Sequence, residues 1–157
     1  MLHRFRLASA SLDDFDVLFK LRLAAMRESL ERIGRFDEQR AFERFRSTFD
    51  PAHTRLVLLD QTGTMAGCVA VKPVEGEAGD ALLLEHFYLF PEHQGHGLGG
   101  EILRQLLAEA DAEGRAVRLS VLQRSDAARF YQRYGFVETG QDEWDIYMER
   151  PPSGHHG

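Results

Sequence analysis

One heptapeptide constrains this chain more than any other stretch. Gln94-Gly95-His96-Gly97-Leu98-Gly99-Gly100 carries four glycines in seven positions. It follows the apolar, strand-type run Ala81–Phe90 and precedes helical periodicity from Leu98 to about Ala112. A turn that merely joins strand to helix needs one or two glycines. This density lets backbone N–H groups approach a ligand with no Cβ in the way. The helix N-terminus adds orphan donors and a partial positive charge. Strand, bare backbone and helix start together make a cradle for an anion such as a phosphate.

Two common phosphate-binding classes do not fit. Gly95, Gly97 and Gly100 satisfy G-x-G-x-x-G, but the next strand, Ala116–Leu122, ends in Gln123-Arg124-Ser125. The acid that would hold a dinucleotide ribose is missing there. A P-loop needs Gly-Lys-Ser/Thr at the helix start, and Leu98-Gly99-Gly100 is not that.

Gln94-x-x-Gly97-x-Gly99 follows Leu89-Phe90-Pro91, and a strand later comes Ala127-Ala128-Arg129-Phe130-Tyr131-Gln132-Arg133-Tyr134-Gly135-Phe136. In this order the two motifs resemble those of the GNAT superfamily of N-acetyltransferases. That family carries Gln/Arg-x-x-Gly-x-Gly/Ala after a strand and an x-Pro loop. Later it has an Asn, six residues and a Tyr leading into Gly-Phe. The resemblance is clear over 55–149 and by pattern only over 1–54. The sequence departs at Arg124, which stands where the family has the Asn that often contacts the pantetheine arm.

The resemblance implies an α/β, single-domain GNAT fold: a mixed central sheet of about six to seven strands flanked by about four helices. It implies acetyl-CoA as co-substrate and an amine of a small molecule or peptide as acceptor. The backbone amides of Gln94, Gly95, His96, Gly97, Leu98, Gly99 and Gly100 would hold the pyrophosphate. Free backbone groups of Phe87 and Leu89 would pair with the pantetheine arm, with Arg124 beside it. Tyr131 takes the position of the general acid. With an ordinary pKa near ~10 it keeps its proton at neutral pH and can protonate a thiolate of pKa about 8.5. Its helix spacing also suits a core aromatic, as does that of Tyr134.

Glu85 and His86 lie in an otherwise apolar strand. Alternation groups Glu85 with Leu83, Phe87 and Leu89, and His86 with Leu84, Tyr88 and Phe90. A carboxylate there is costly to bury. Glu85 and His86 are therefore the candidate bases; Glu85 is assigned a base or acceptor-binding role, and its structural alternative is a pair with an arginine of the first helix. His86 reads as a satisfied, partly buried histidine. An ordered water is a third base. His86, His93 and His96 lack the Cys or Asp companions of a metal site, so no metal is expected. By the resemblance, the acceptor would meet Met26–Phe36 and roughly Gln141–Tyr147, where Arg27, Glu28, Arg32, Phe36 and Trp144 occur.

The remaining composition bounds this reading. With 157 residues the chain suffices for one domain, 1–150, with 151–157 as a disordered tail. A net charge of −6 argues against nucleic acid. Cys68, the single cysteine, excludes an intrachain disulfide and reads as a small core residue. No apolar run approaches a membrane span, and no signal-peptide core is present, which makes the cytoplasm the default compartment. A homodimer is left open. Strands are expected at Leu2–Ala8, Arg55–Leu59, Met65–Lys72, Ala116–Leu122, Phe136–Val137 and Trp144–Met148. Helices are expected at about 12–30, 37–49 and 126–134. The competing function is a non-catalytic acyl-CoA-binding module of the same fold; a small nucleotide-binding protein is weaker still.

Overall fold

Turn chemistry sets the boundaries of the first elements. Asp14 Oδ2 accepts the Ser11 N–H at 2.8 Å, opening a 3-10 turn that runs into the first helix. Gly34, at φ 73°, ends that helix region, and Asp37 caps the second through Arg40 N at 3.1 Å. The computed structural model describes residues 4–74 and 81–153. The predicted strand start at Leu2, the loop 75–80 and the His155–His156 pair lie outside them.

In chain order the elements are β1 (Phe5–Ser9), α1 (Phe15–Arg32), α2 (Glu38–Thr48), β2 (Thr54–Leu59), β3 (Met65–Pro73), β4 (Leu82–Leu89), α3 (Leu98–Ala112), β5 (Val117–Leu122), α4 (Ala127–Gln132), β6 (Val137–Gln141) and β7 (Asp145–Arg150). Among the described residues seven strands form one sheet in the order β1-β2-β3-β4-β5-β7-β6. It is mixed: β4 and β5 pair in parallel at Leu82–Val117 and Leu83–Arg118, whereas β1–β2, β2–β3, β5–β7 and β6–β7 are antiparallel. The seven strands and four α-helices of the described residues match the expected architecture. Among the described residues no helix is long and apolar enough to cross a membrane.

The chain divides into two compact units. The first comprises Met1–Ala70 and His86–Gly99. Its core is Leu18 and Leu21 of α1, Phe45 of α2 and Cys68 of β3, with Tyr88 and Phe90 packed against them. Phe15 stands 5.3 Å from Phe45, and Phe19 5.2 Å from Phe42, as ring centroids. Gly67 is required here, because a Cβ would run into the Tyr88 carbonyl where β3 and β4 approach closely.

The second unit comprises Val71–Glu85 and Gly100–Gly157. Ile102, Leu103, Val117, Leu119, Phe136 and Met148 are buried in it. Arg150 grips Asp111 at 2.9 and 3.0 Å, linking β7 to α3. Ser153, in the segment expected to be a disordered tail, donates its N–H to the same carboxylate at 2.8 Å.

Candidate functional site

The glycine loop is held from three sides by its own unit. A 3-10 turn at Pro91–His93 brings the chain off β4. Gln94 Nε2 then reaches back to the Leu89 carbonyl at 2.9 Å, and the Gln94 N–H donates to Pro91 at 3.1 Å. Arg4 Nη2 donates to the His96 carbonyl at 2.9 Å. Gly95 and Gly97 adopt φ of 81° and 82°, values that favour glycine. Among the described residues the N–H groups of Gly95, His96 and Gly97 have no acceptor. They run directly into α3, whose first amides are orphans by geometry. Open donors, left-handed glycines and a helix start suit a pyrophosphate. Gln94 instead acts as the brace: both its side-chain amide and its N–H are engaged within the loop.

His86 changes the reading of β4. It takes φ 52°, inside the left-handed region. One such residue interrupts period-2 alternation, so the parity that grouped Glu85 with Phe87 and Leu89 does not run through it. The His86 ring is occupied on both sides: Nε2 lies 2.9 Å from Thr48 Oγ1 and Nδ1 3.3 Å from the Tyr88 hydroxyl. It also meets the Phe45 ring edge-on at 5.0 Å. This is the satisfied histidine expected from the sequence. Beside it, Cys68 Sγ donates to the His86 carbonyl at 3.2 Å. Burial pushes the Cys68 thiol up to about 12, against a smaller lowering by a backbone hydrogen bond.

In the second unit, Glu85 Oε2 faces Lys72 Nζ at 2.9 Å, off the line of a good hydrogen bond. Its ion-pair partner is thus Lys72 of β3 rather than an arginine of α1. Both side chains keep about a quarter of their surface exposed (22% for Glu85 and 29% for Lys72). Phe87 and Leu89, half-buried in the first unit, lie downstream of the β4–β5 pairing at Leu82 and Leu83.

Tyr131 is buried on α4, with its ring 5.1 Å from Phe130 and 5.4 Å from Phe136. Tyr134 lies against the start of α3: a Cβ on Gly100 would collide with its hydroxyl, and Arg104 stands 5.7 Å over its ring. Arg124 is exposed and takes φ 61°, a conformation that an Asn adopts more easily.

The arginines expected to meet an acceptor are engaged on their own helix. Arg27 contacts Glu31 at 3.0 Å and lies 4.6 Å over Phe36, and Arg32 reaches Glu28 at 3.9 Å. Sequence reasoning missed a third, Arg22, which is 6% exposed on the face that carries Leu18 and Leu21. The available signal was a charge inside an apolar stripe, four residues after Leu18.

Comparison with known proteins identifies the family. A family model described as an acetyltransferase (GNAT) domain matches residues 52–138, more than half the chain. No curated protein matches. The fold resembles PaiA N-acetyltransferase from Thermoplasma acidophilum, solved with coenzyme A, at 18% identity and TM-score 0.70, covering 95% of this chain and 99% of that one. It also resembles the ribosomal-protein-S18-alanine N-acetyltransferase of Escherichia coli, at 21% identity and TM-score 0.69, covering 97% and 96%. An acetyltransferase from Thermus thermophilus matches at 20% identity and TM-score 0.71, covering 95% and 97%. At these identities the structural likeness is one of fold. On the family match, the chain belongs to the GNAT acetyltransferases, with acetyl-CoA as co-substrate.

Proposed function

We propose that the protein is an N-acetyltransferase that moves an acetyl group to the primary amine of a small molecule or peptide by direct attack. The observation that carries this reading is the run of open amides at Gly95, His96 and Gly97 leading into α3. Acetyl-CoA supplies the activated acyl thioester. The loop amides from Gly95 to Gly100 bind its pyrophosphate, with Gln94 and Arg4 holding the loop in shape. Backbone groups of Phe87 and Leu89 align the pantetheine arm. Glu85 takes the amine proton directly or through water, and Tyr131 returns a proton to the departing sulfur.

Thiol release from acetyl-CoA across a panel of primary amines tests the reading. At least one amine should raise release well above hydrolysis. Gly97→Asp puts a side chain at a left-handed position and a negative charge among the amides. Calorimetry should show most of the coenzyme A affinity gone while the circular dichroism is retained. Unchanged affinity would refute the cradle. Tight coenzyme A binding with no amine-dependent release would instead mark a non-catalytic binding module.

A further inference from the structure

Arg22 is a buried cation for which the described residues supply no anion. Its Nε and Nη1 are sealed from solvent and make no hydrogen bond, and among the described residues no ion pair reaches it. The core that α1 builds with Phe45, Cys68, Leu56, Tyr88 and Phe90 is apolar. The one ionisable thiol there, Cys68, is held protonated and supplies no charge. A guanidinium does not shed its proton, and an unpaired buried ion costs several kcal/mol. Arg27 and Arg32, by contrast, are half-exposed and paired with Glu31 and Glu28. No anion among the described residues meets Arg22, which leaves the place for one that a ligand brings. Resting on the acetyl-transfer reading above, its source can be narrowed. The charges of acetyl-CoA are phosphates, which the loop amides accommodate, while its acetyl and pantetheine parts are neutral. The anion left to meet Arg22 belongs to the acceptor.

We infer that the acceptor is a small amine that also carries a carboxylate, such as an amino acid, and that Arg22 reads this carboxylate. A guanidinium matches a carboxylate in both charge and planar geometry. Binding would exchange an unpaired buried ion for a charge-assisted pair. Amines lacking the carboxylate would leave that ion unsatisfied, so selectivity follows from their failure to pair as much as from the pair itself.

The test compares L-α-amino acids, each matched with its carboxamide, which keeps the shape and loses the charge. Turnover with acetyl-CoA should favour at least one amino acid over its carboxamide by roughly 10- to 100-fold in kcat/KM, the range of a charged hydrogen bond. Arg22→Met should collapse that ratio chiefly through KM, and Arg22→Lys should restore part of it. Without ligand, Arg22→Met should melt higher than the wild type, because it removes an unpaired ion. A lower melting temperature would reveal a structural partner and overturn the inference, as would carboxamides used as well as amino acids. Calorimetry of the same amino acids separates the two readings. If they bind wild type but not Arg22→Met while no acetyl transfer occurs, the enzyme reading falls and the carboxylate site stands. If none binds or reacts while other amines are acetylated, the inference alone falls.

Discussion

His86 and Arg124 both sit at positive φ, 52° and 61°. For a residue with a Cβ that conformation costs roughly 1–2 kcal/mol. His86 recovers this through its contacts with Thr48, Tyr88 and the Phe45 ring. No spacing rule reveals such a residue, because its φ is imposed by tertiary contacts. That is why strand parity does not carry through His86, and why an arginine of α1 looks like the partner of Glu85 although Lys72 holds it. Tyr131 is different: motif spacing proposes it as the general acid, and the structure buries it beside Phe130 and Phe136. Tyr131→Phe separates the two roles, since it keeps the ring and removes only the hydroxyl. Turnover should fall roughly 10²-fold, as for loss of a general acid, with coenzyme A affinity and melting temperature nearly unchanged. Wild-type turnover in that variant would leave Tyr131 a core aromatic only.

Elements are legible where local chemistry closes them at both ends. α3 occupies Leu98–Ala112 as expected, since glycines precede it and Gly114, at φ 68°, follows it. β6 departs from its local pattern. The sequence predicts a strand at Phe136–Val137, yet pairing runs over Val137–Gln141, which is largely exposed and irregular between Glu138 and Gly140. A polar edge strand carries no apolar alternation to read; its partner β7 defines it. The tie between β7 and α3 has a measurable sign. Hydrogen bonds from Arg150 hold the Asp111 carboxyl below its ordinary 3.8, outweighing a smaller opposing effect of burial. A depressed folded value means the stabilisation is complete above 3.8 and is lost as pH falls through the folded value. Asp111→Asn should cost roughly 1–3 kcal/mol in urea unfolding at neutral pH. The gap from wild type should narrow in acid; a gap independent of pH would contradict the pairing.

For the molecule as a whole, fold class and co-substrate follow from two motifs in order, because a glycine loop at a helix start constrains backbone and ligand together. The acceptor side is poorly legible. Arg27 and Arg32 look available on a helical wheel but bond along their own helix, while Arg22 looks like an exception in an apolar face. Binding linkage tests the whole assembly at once. A ligand at 100 times its Kd stabilises by about 2.7 kcal/mol, worth roughly 5–10 °C for a chain of this size. Coenzyme A should raise the melting temperature by that amount, and Gly97→Asp should abolish the rise. One buried atom also has a practical bearing on all of these measurements. Cys68, the chain's single cysteine, is fully enclosed and holds its proton to about 12. In a chromogenic disulfide-exchange assay the native protein is therefore optically silent, and every equivalent of colour counts one released coenzyme A. In the absence of substrates the same reagent becomes a clock, ticking only when the interior opens far enough to admit it.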